Sequence, residues 1–112
     1  MIRTRTHMIS SQTKEYVLVD IATTVAGASV DPTGDAVEFA ATVPGVEPSA
    51  WLAGSWETDT TTDPDTYSAR ILVSGTGGGG TLVLADGTYD LWVRITDSPE
   101  RPARRAGTLI VT

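Results

Sequence analysis

Between Tyr89 and Thr96 the chain alternates, with Tyr89, Leu91, Val93 and Ile95 on one side and Asp90, Trp92, Arg94 and Thr96 on the other. A period of two is the signature of a strand with one buried and one wetter face, and a helix cannot gather such positions on one side. The pattern recurs. Tyr16 to Thr23 sets Val17, Val19 and Ile21 against Tyr16, Leu18 and Asp20. Val37 to Val43 puts Val37, Phe39, Ala41 and Val43 together, and Tyr67 to Val73 does the same with Tyr67, Ala69, Ile71 and Val73. Trp51 to Glu57, Leu82 to Leu84 and Gly107 to Thr112 read as further strands, with Gly54 as a bulge in the first and Leu109 and Val111 inward in the last. Thr occurs 18 times, Val 11 and Ile 6, so residues branched at Cβ, which suit a pleated surface, dominate.

Turn punctuation separates these runs: Asp31-Pro32-Thr33-Gly34, Pro44-Gly45, Asp63-Pro64-Asp65, Gly75 to Gly80 and Asp86-Gly87. No window keeps a helical period over ten residues. About seven strands in 112 residues predict an all-β fold, an immunoglobulin-like or fibronectin-like β-sandwich, with a small barrel as the alternative. Residues 15–112 make the sandwich. Residues 1–14 form an N-terminal arm or a first edge strand, with Ile2, Thr4, Thr6 and Met8 alternating against Arg3, Arg5 and His7. The arm is favoured, since seven strands already complete a sandwich. In Asp86-Gly87-Thr88-Tyr89 a turn leads into a Tyr opening the penultimate strand, which matches a tyrosine corner, so Tyr89 is read as structural. Trp56 is read as the core tryptophan.

Charge narrows the partners. Fourteen acidic against eight basic residues give a net charge of -6. Phosphate backbones are bound by Lys and Arg, so nucleic acid is not an expected partner. Between Lys14 and Arg70 lie ten acidic residues and no basic one. Nothing approaches the ~20 apolar residues of a membrane-spanning helix, and the first eight residues lack the apolar stretch of a secretory signal. No cysteine is present, which removes disulfides, thiolate metal sites and thiol catalysis.

Candidate chemistry is sparse. His7 is the single histidine, and no orienting motif accompanies it, so no catalytic residue and no enzyme is expected. Asp59, Asp63 and Asp65 offer hard oxygen ligands, but their spacing departs from the D-x-D-x-D-G calcium loop and lacks its closing Glu. That stretch reads as a solvated loop, with no metal. Gly75 to Gly80 satisfies G-x-G-x-x-G, yet strands flank it where a dinucleotide site needs a strand and a helix, so it reads as a hairpin tip and no cofactor is expected. Trp92 beside Arg94 has the composition of an interface anchor. Cover for Trp92 from a neighbouring sheet edge or from residues 98–105 is the alternative. The candidate interface set is Ile2, Arg3, Arg5, Met8, Trp92 and Arg94.

Three stretches carry a resemblance: Asp31 to Ala40 (DPTGDAVEFA), Trp51 to Glu57 (WLAGSWE) and Gly87 to Glu100 (GTYDLWVRITDSPE). Together, over residues 15–112, they resemble small immunoglobulin-like virion structural proteins of tailed bacteriophages, particularly those of actinobacterial hosts. The resemblance implies a non-enzymatic virion part assembled in the host cytoplasm. Its implied role is a capsid-associated decoration or minor capsid protein that binds the major capsid protein, neighbouring virion proteins or further copies of itself. A head-tail connector or a tail or baseplate component is the alternative it leaves open. A carbohydrate-binding β-sandwich module, presenting Trp51, Trp56 or Trp92 as a platform, is the alternative of another class.

Overall fold

The computed structural model describes residues 5–21, 23–25, 28–62, 65–96 and 103–112. The chain is all-β, with no helix among those residues. The strands are β1 (Arg5–Ile9), β2 (Lys14–Ile21), β3 (Thr23–Val25), β4 (Ala28–Val30), β5 (Ala36–Thr42) and β6 (Leu52–Ala53). They continue with β7 (Ser55–Asp59), β8 (Thr66–Gly75), β9 (Leu82–Leu84), β10 (Gly87–Thr96) and β11 (Ala103–Val111). One sheet has the order β1-β11-β10-β5-β6. The other has the order β2-β8-β7, with β9 also on β8, and β3 and β4 pair as a separate hairpin.

The alternation explains the two layers. Val17, Val19 and Ile21 of β2 and Ala69, Ile71 and Val73 of β8 form one wall of the core. Val37 and Phe39 of β5, Leu91 and Val93 of β10, and Leu109 and Val111 of β11 form the other. These walls belong to a single buried cluster, so each sheet hides its apolar face against the other. Val43, placed on the inner face by its spacing, is 65% exposed instead. Strand β5 stops at Thr42, and a turn closed by the Val46 amide on the Val43 carbonyl carries the chain away.

Among the described residues eleven strands stand where about seven are expected, and three differences from the sequence reading have clear causes. Trp51 to Glu57 is not one bulged strand. Strand β6 pairs with β5 in one sheet, and β7 pairs with β8 in the other. The chain changes layer at Gly54, whose amide donates to the Val37 carbonyl. A side chain at this crossing would collide with the Phe39 ring and the Arg70 carbonyl.

Residues 5–9 form an edge strand rather than a free arm, with β1 parallel to β11 and Arg5 opposite Gly107 through Ile9 opposite Val111. Ile9 joins the core, and the Thr112 amide donates back to the Ile9 carbonyl.

The glycine run is also not a hairpin tip. Strand β9 is parallel to β8, so the six residues from Thr76 to Thr81 wind back alongside β8. Gly77 and Gly79 take positive φ, and the buried Ser74 sits inside the coil. The Ser74 hydroxyl accepts from the Gly80 amide and donates to the Gly75 carbonyl.

Candidate functional site

Register across the five-stranded sheet determines what its outer face displays. Leu91 and Val93 point into the core, so Asp90, Trp92 and Arg94 point out. Cross-strand pairing then builds three rows. Thr6, Thr108, Asp90 and Thr42 lie across β1, β11, β10 and β5. Arg105, Trp92 and Ala40 form the next row, and Ala103, Arg94, Glu38 and Ala53 the third. A β-bulge between Leu91 and Trp92 shifts the β10–β11 register, leaving Ala106 in the core while Arg105 faces out opposite Trp92.

Each outward charge on β10 has a partner. Arg94 Nη2 and Nε donate to Glu38 Oε1 at 2.7 and 3.1 Å. The same guanidinium lies over the Trp51 ring, 4.5 Å from its centroid, so a carboxylate and an indole hold Arg94 from two sides. Trp92 Nε1 donates to Thr42 Oγ1 at 3.2 Å, and the Thr42 hydroxyl donates to the Val46 carbonyl at 2.7 Å. Ala40 faces outward opposite Trp92 and is nevertheless buried at 4% exposure, which fits an indole lying across β5 toward Thr42.

Asp90 is a clasp. Its Oδ2 accepts from the Gly45 amide at 2.9 Å and its Oδ1 from Arg105 Nε at 3.0 Å. Arg105 in turn donates to Thr108 Oγ1 at 2.9 Å. The Gly45 amide, and after it the Arg105 guanidinium, hold the Asp90 carboxyl below its ordinary range, because both favour the charged form. The turn after β5 is thereby fixed to β10 and β11.

The candidates read from the sequence are placed as follows. Trp92 and Arg94 share the outer face, both half-buried and both hydrogen-bonded within the domain. Met8 faces out from β1 at 68% exposure, opposite Ile110. Arg5 opens β1, and Ile2 and Arg3 lie outside the described residues. Trp56 packs against the core from β7, and its Nε1 donates to the Asp35 carbonyl at 2.9 Å. The Tyr89 hydroxyl donates to the Ala85 carbonyl at 2.8 Å, bracing the turn into β10. Trp51, named in the sequence only as a platform candidate, lies under the Arg94 guanidinium, and Glu38, Thr42, Asp90 and Arg105 are site residues that sequence reasoning missed. For Glu38 a signal existed: a carboxylate at a polar position of one alternating run, with Arg94 at a polar position of another.

The acidic loop is occupied with its own turn. Asp59 Oδ1 accepts from the Thr61 hydroxyl and amide at 2.5 and 2.9 Å, and these bonds hold its carboxyl low. Asp65 is exposed, and Asp63 lies outside the described residues. No group of three or more His, Cys, Asp and Glu side chains suited to a metal occurs among the described residues. Each tryptophan is engaged within the domain: the Arg94 guanidinium covers the Trp51 ring, Trp56 packs on the core and Trp92 Nε1 bonds Thr42 on β5.

His7 lies opposite Leu109 on β1 and lines an open groove of about 380 Å³ along the rim between β1 and β2. Glu15, Tyr16 and Val17 line the same groove. Comparison of the chain with protein-family models, with curated proteins and with solved structures finds no match.

Proposed function

We propose that this protein is a non-enzymatic virion structural component, a capsid-associated module with an immunoglobulin-like sandwich that attaches through the outer face of its five-stranded sheet. The observation that carries this reading is the pre-formed Trp51–Arg94–Glu38 group beside Trp92. Tryptophan and arginine are the residues that most often anchor protein interfaces, and here their rotamers are fixed by partners in the same domain. A partner docking there meets side chains already ordered, which lowers the entropic cost of association.

Further observations support the reading. The parallel pairing of the first strand with the last, a five-stranded sheet facing a four-stranded one, and the Tyr89 hydroxyl bracing the turn into β10 are compatible with an immunoglobulin-like sandwich. A net charge of -6 suits the outside of a shell better than a lining against DNA. Since β1 belongs to its own domain, attachment is assigned to the sheet face and not to a free arm.

The test is re-addition to particles assembled without the protein, followed by sedimentation. Wild type is expected to travel with the shell. Trp92→Ala and Arg94→Ala are expected to lose at least about tenfold in affinity, the effect of one anchor worth ~1.4 kcal/mol. Glu57→Gln, on the other sheet, is expected to bind as wild type. Binding to isolated tails alone would move the protein to the tail, and binding to neither would reject the proposal.

A further inference from the structure

Strand β2 is the edge of the smaller sheet. Strand β8 pairs with one side of it, and among the described residues no strand pairs with the other. The edge is eight residues long, contains no proline, and keeps an unbroken register with β8 from Lys14 opposite Ser74 to Ile21 opposite Tyr67. Alternate residues of such a strand direct their backbone N–H and C=O groups away from the sheet, ready to pair. Edges of soluble proteins are ordinarily blunted by bulges, proline or inward-pointing charge. Mid-strand, β2 instead has Val17 and Val19 pointing in and Tyr16 and Leu18 pointing out. Tyr16 is 47% exposed, and the Arg70 guanidinium, bound to Ser55 Oγ, lies 4.3 Å from its ring centroid. A large apolar side chain is therefore steadied beside an open edge.

We propose that β2 pairs antiparallel with β2 of a second copy of this chain, about a two-fold axis at Val17. The sequence of the strand selects that register. An axis between Val17 and Leu18 would set inward Val17 opposite outward Leu18, which a continuous sheet forbids, because paired side chains share a face. With the axis at Leu18, Tyr16 faces Asp20. With the axis at Val17, Lys14 faces Asp20 and Tyr16 faces Leu18, and each pairing occurs twice by symmetry. Asp20 keeps its bond from the Ser68 hydroxyl on the same face. The two four-stranded sheets become one sheet of eight, in which the path β7-β8-β2 is continued by β2-β8-β7 of the other copy and β9 stays beside each β8. The attachment face lies on the opposite layer, so this contact does not depend on it.

One short strand edge per copy is a small interface, so the dimer is weak, with dissociation in the range of roughly 10 µM to 1 mM. Two copies of charge -6 also repel, so measurements belong at physiological ionic strength, where screening acts beyond ~8 Å. Sedimentation equilibrium of the intact chain over that range is expected to show a reversible dimer. Because the protein has no cysteine, proximity is readable from introduced thiols. Mixing Tyr16→Cys with Leu18→Cys under mild oxidation is expected to give the mixed disulfide in excess of either homodimer. Lys14→Glu is expected to weaken association about three- to tenfold, and Lys14→Glu/Asp20→Lys to restore it. Thermal melts establish that each variant folds. Should Asp20→Lys disturb the Ser68 contact, the thiol mixing still decides the register. A chain that stays monomeric to about 1 mM, or whose homodisulfides dominate the mixture, overturns the proposal and leaves the edge to another occupant or to none.

Discussion

A Cβ at position 54 would stand 2.7 Å from Cδ2 and Cε2 of Phe39, closer than carbon atoms approach without something moving. Phe39 is fully buried, and the Arg70 carbonyl, 2.8 Å from the same point, belongs to the central strand β8. Neither neighbour can yield cheaply. Gly54→Ala is expected to cost about 1–3 kcal/mol, the usual range for overpacking, and chemical denaturation with an unchanged m-value checks it. A variant as stable as wild type would show that the layer crossing has slack.

Arg94 and Trp51 should be energetically coupled. Alanine at either position, and at both, forms a double-mutant cycle whose coupling is expected at about 0.5–1 kcal/mol, the value for a partly exposed cation over an indole. Arg94→Lys is expected to keep the charge opposite Glu38 while losing most of that coupling, because the planar guanidinium both stacks and forks. Strict additivity would mean that the ring contact contributes nothing.

Asp90 makes stability depend on pH in a defined direction. Its folded-state pKa lies below the ordinary 3.8, so the folded protein holds the carboxylate charged more readily than the unfolded chain does. The stabilisation is therefore fully present above the unfolded pKa and is lost as pH falls through the folded one. Asp90→Asn is expected to melt below wild type at pH 7, with the gap closing as pH falls from about 5 to about 2. Asp31 and Asp59, lowered by their Thr33 and Thr61 partners, titrate in both proteins and cancel from the comparison. A gap that stays constant with pH would remove the carboxylate from the explanation.

Tyr89→Phe removes one hydroxyl and little else. The lost bond to the Ala85 carbonyl is expected to cost about 1 kcal/mol in urea unfolding, with attachment to particles unchanged. No loss of stability would leave the turn before β10 braced by other contacts.

The core strands were legible because burial writes itself on alternate residues. Val17, Val19 and Ile21, and likewise Leu91 and Val93, are inward as their spacing requires. Sheet membership is not written that way. Trp51 to Glu57 reads as a single run, and only the separate pairings of Leu52 with Phe39 and Trp56 with Ala69 divide it between layers. The glycine run misleads for a related reason. Its composition signals a turn, whereas its path is determined by Ser74 and by where β9 finds β8. At the candidate site, the shared face of Trp92 and Arg94 follows from parity alone. The partnership of Arg94 with Glu38 and Trp51 needs a cross-strand register that one strand cannot supply.

The parallel ladder of β1 on β11 has a mechanical consequence. Tension applied between Arg5 and Val111 pulls the two strands lengthwise past each other, loading all five paired positions together instead of peeling them singly. A domain tugged along its own backbone would then yield only when the whole seam slips, a resistance to stretching that the same contacts arranged as a hairpin would not give.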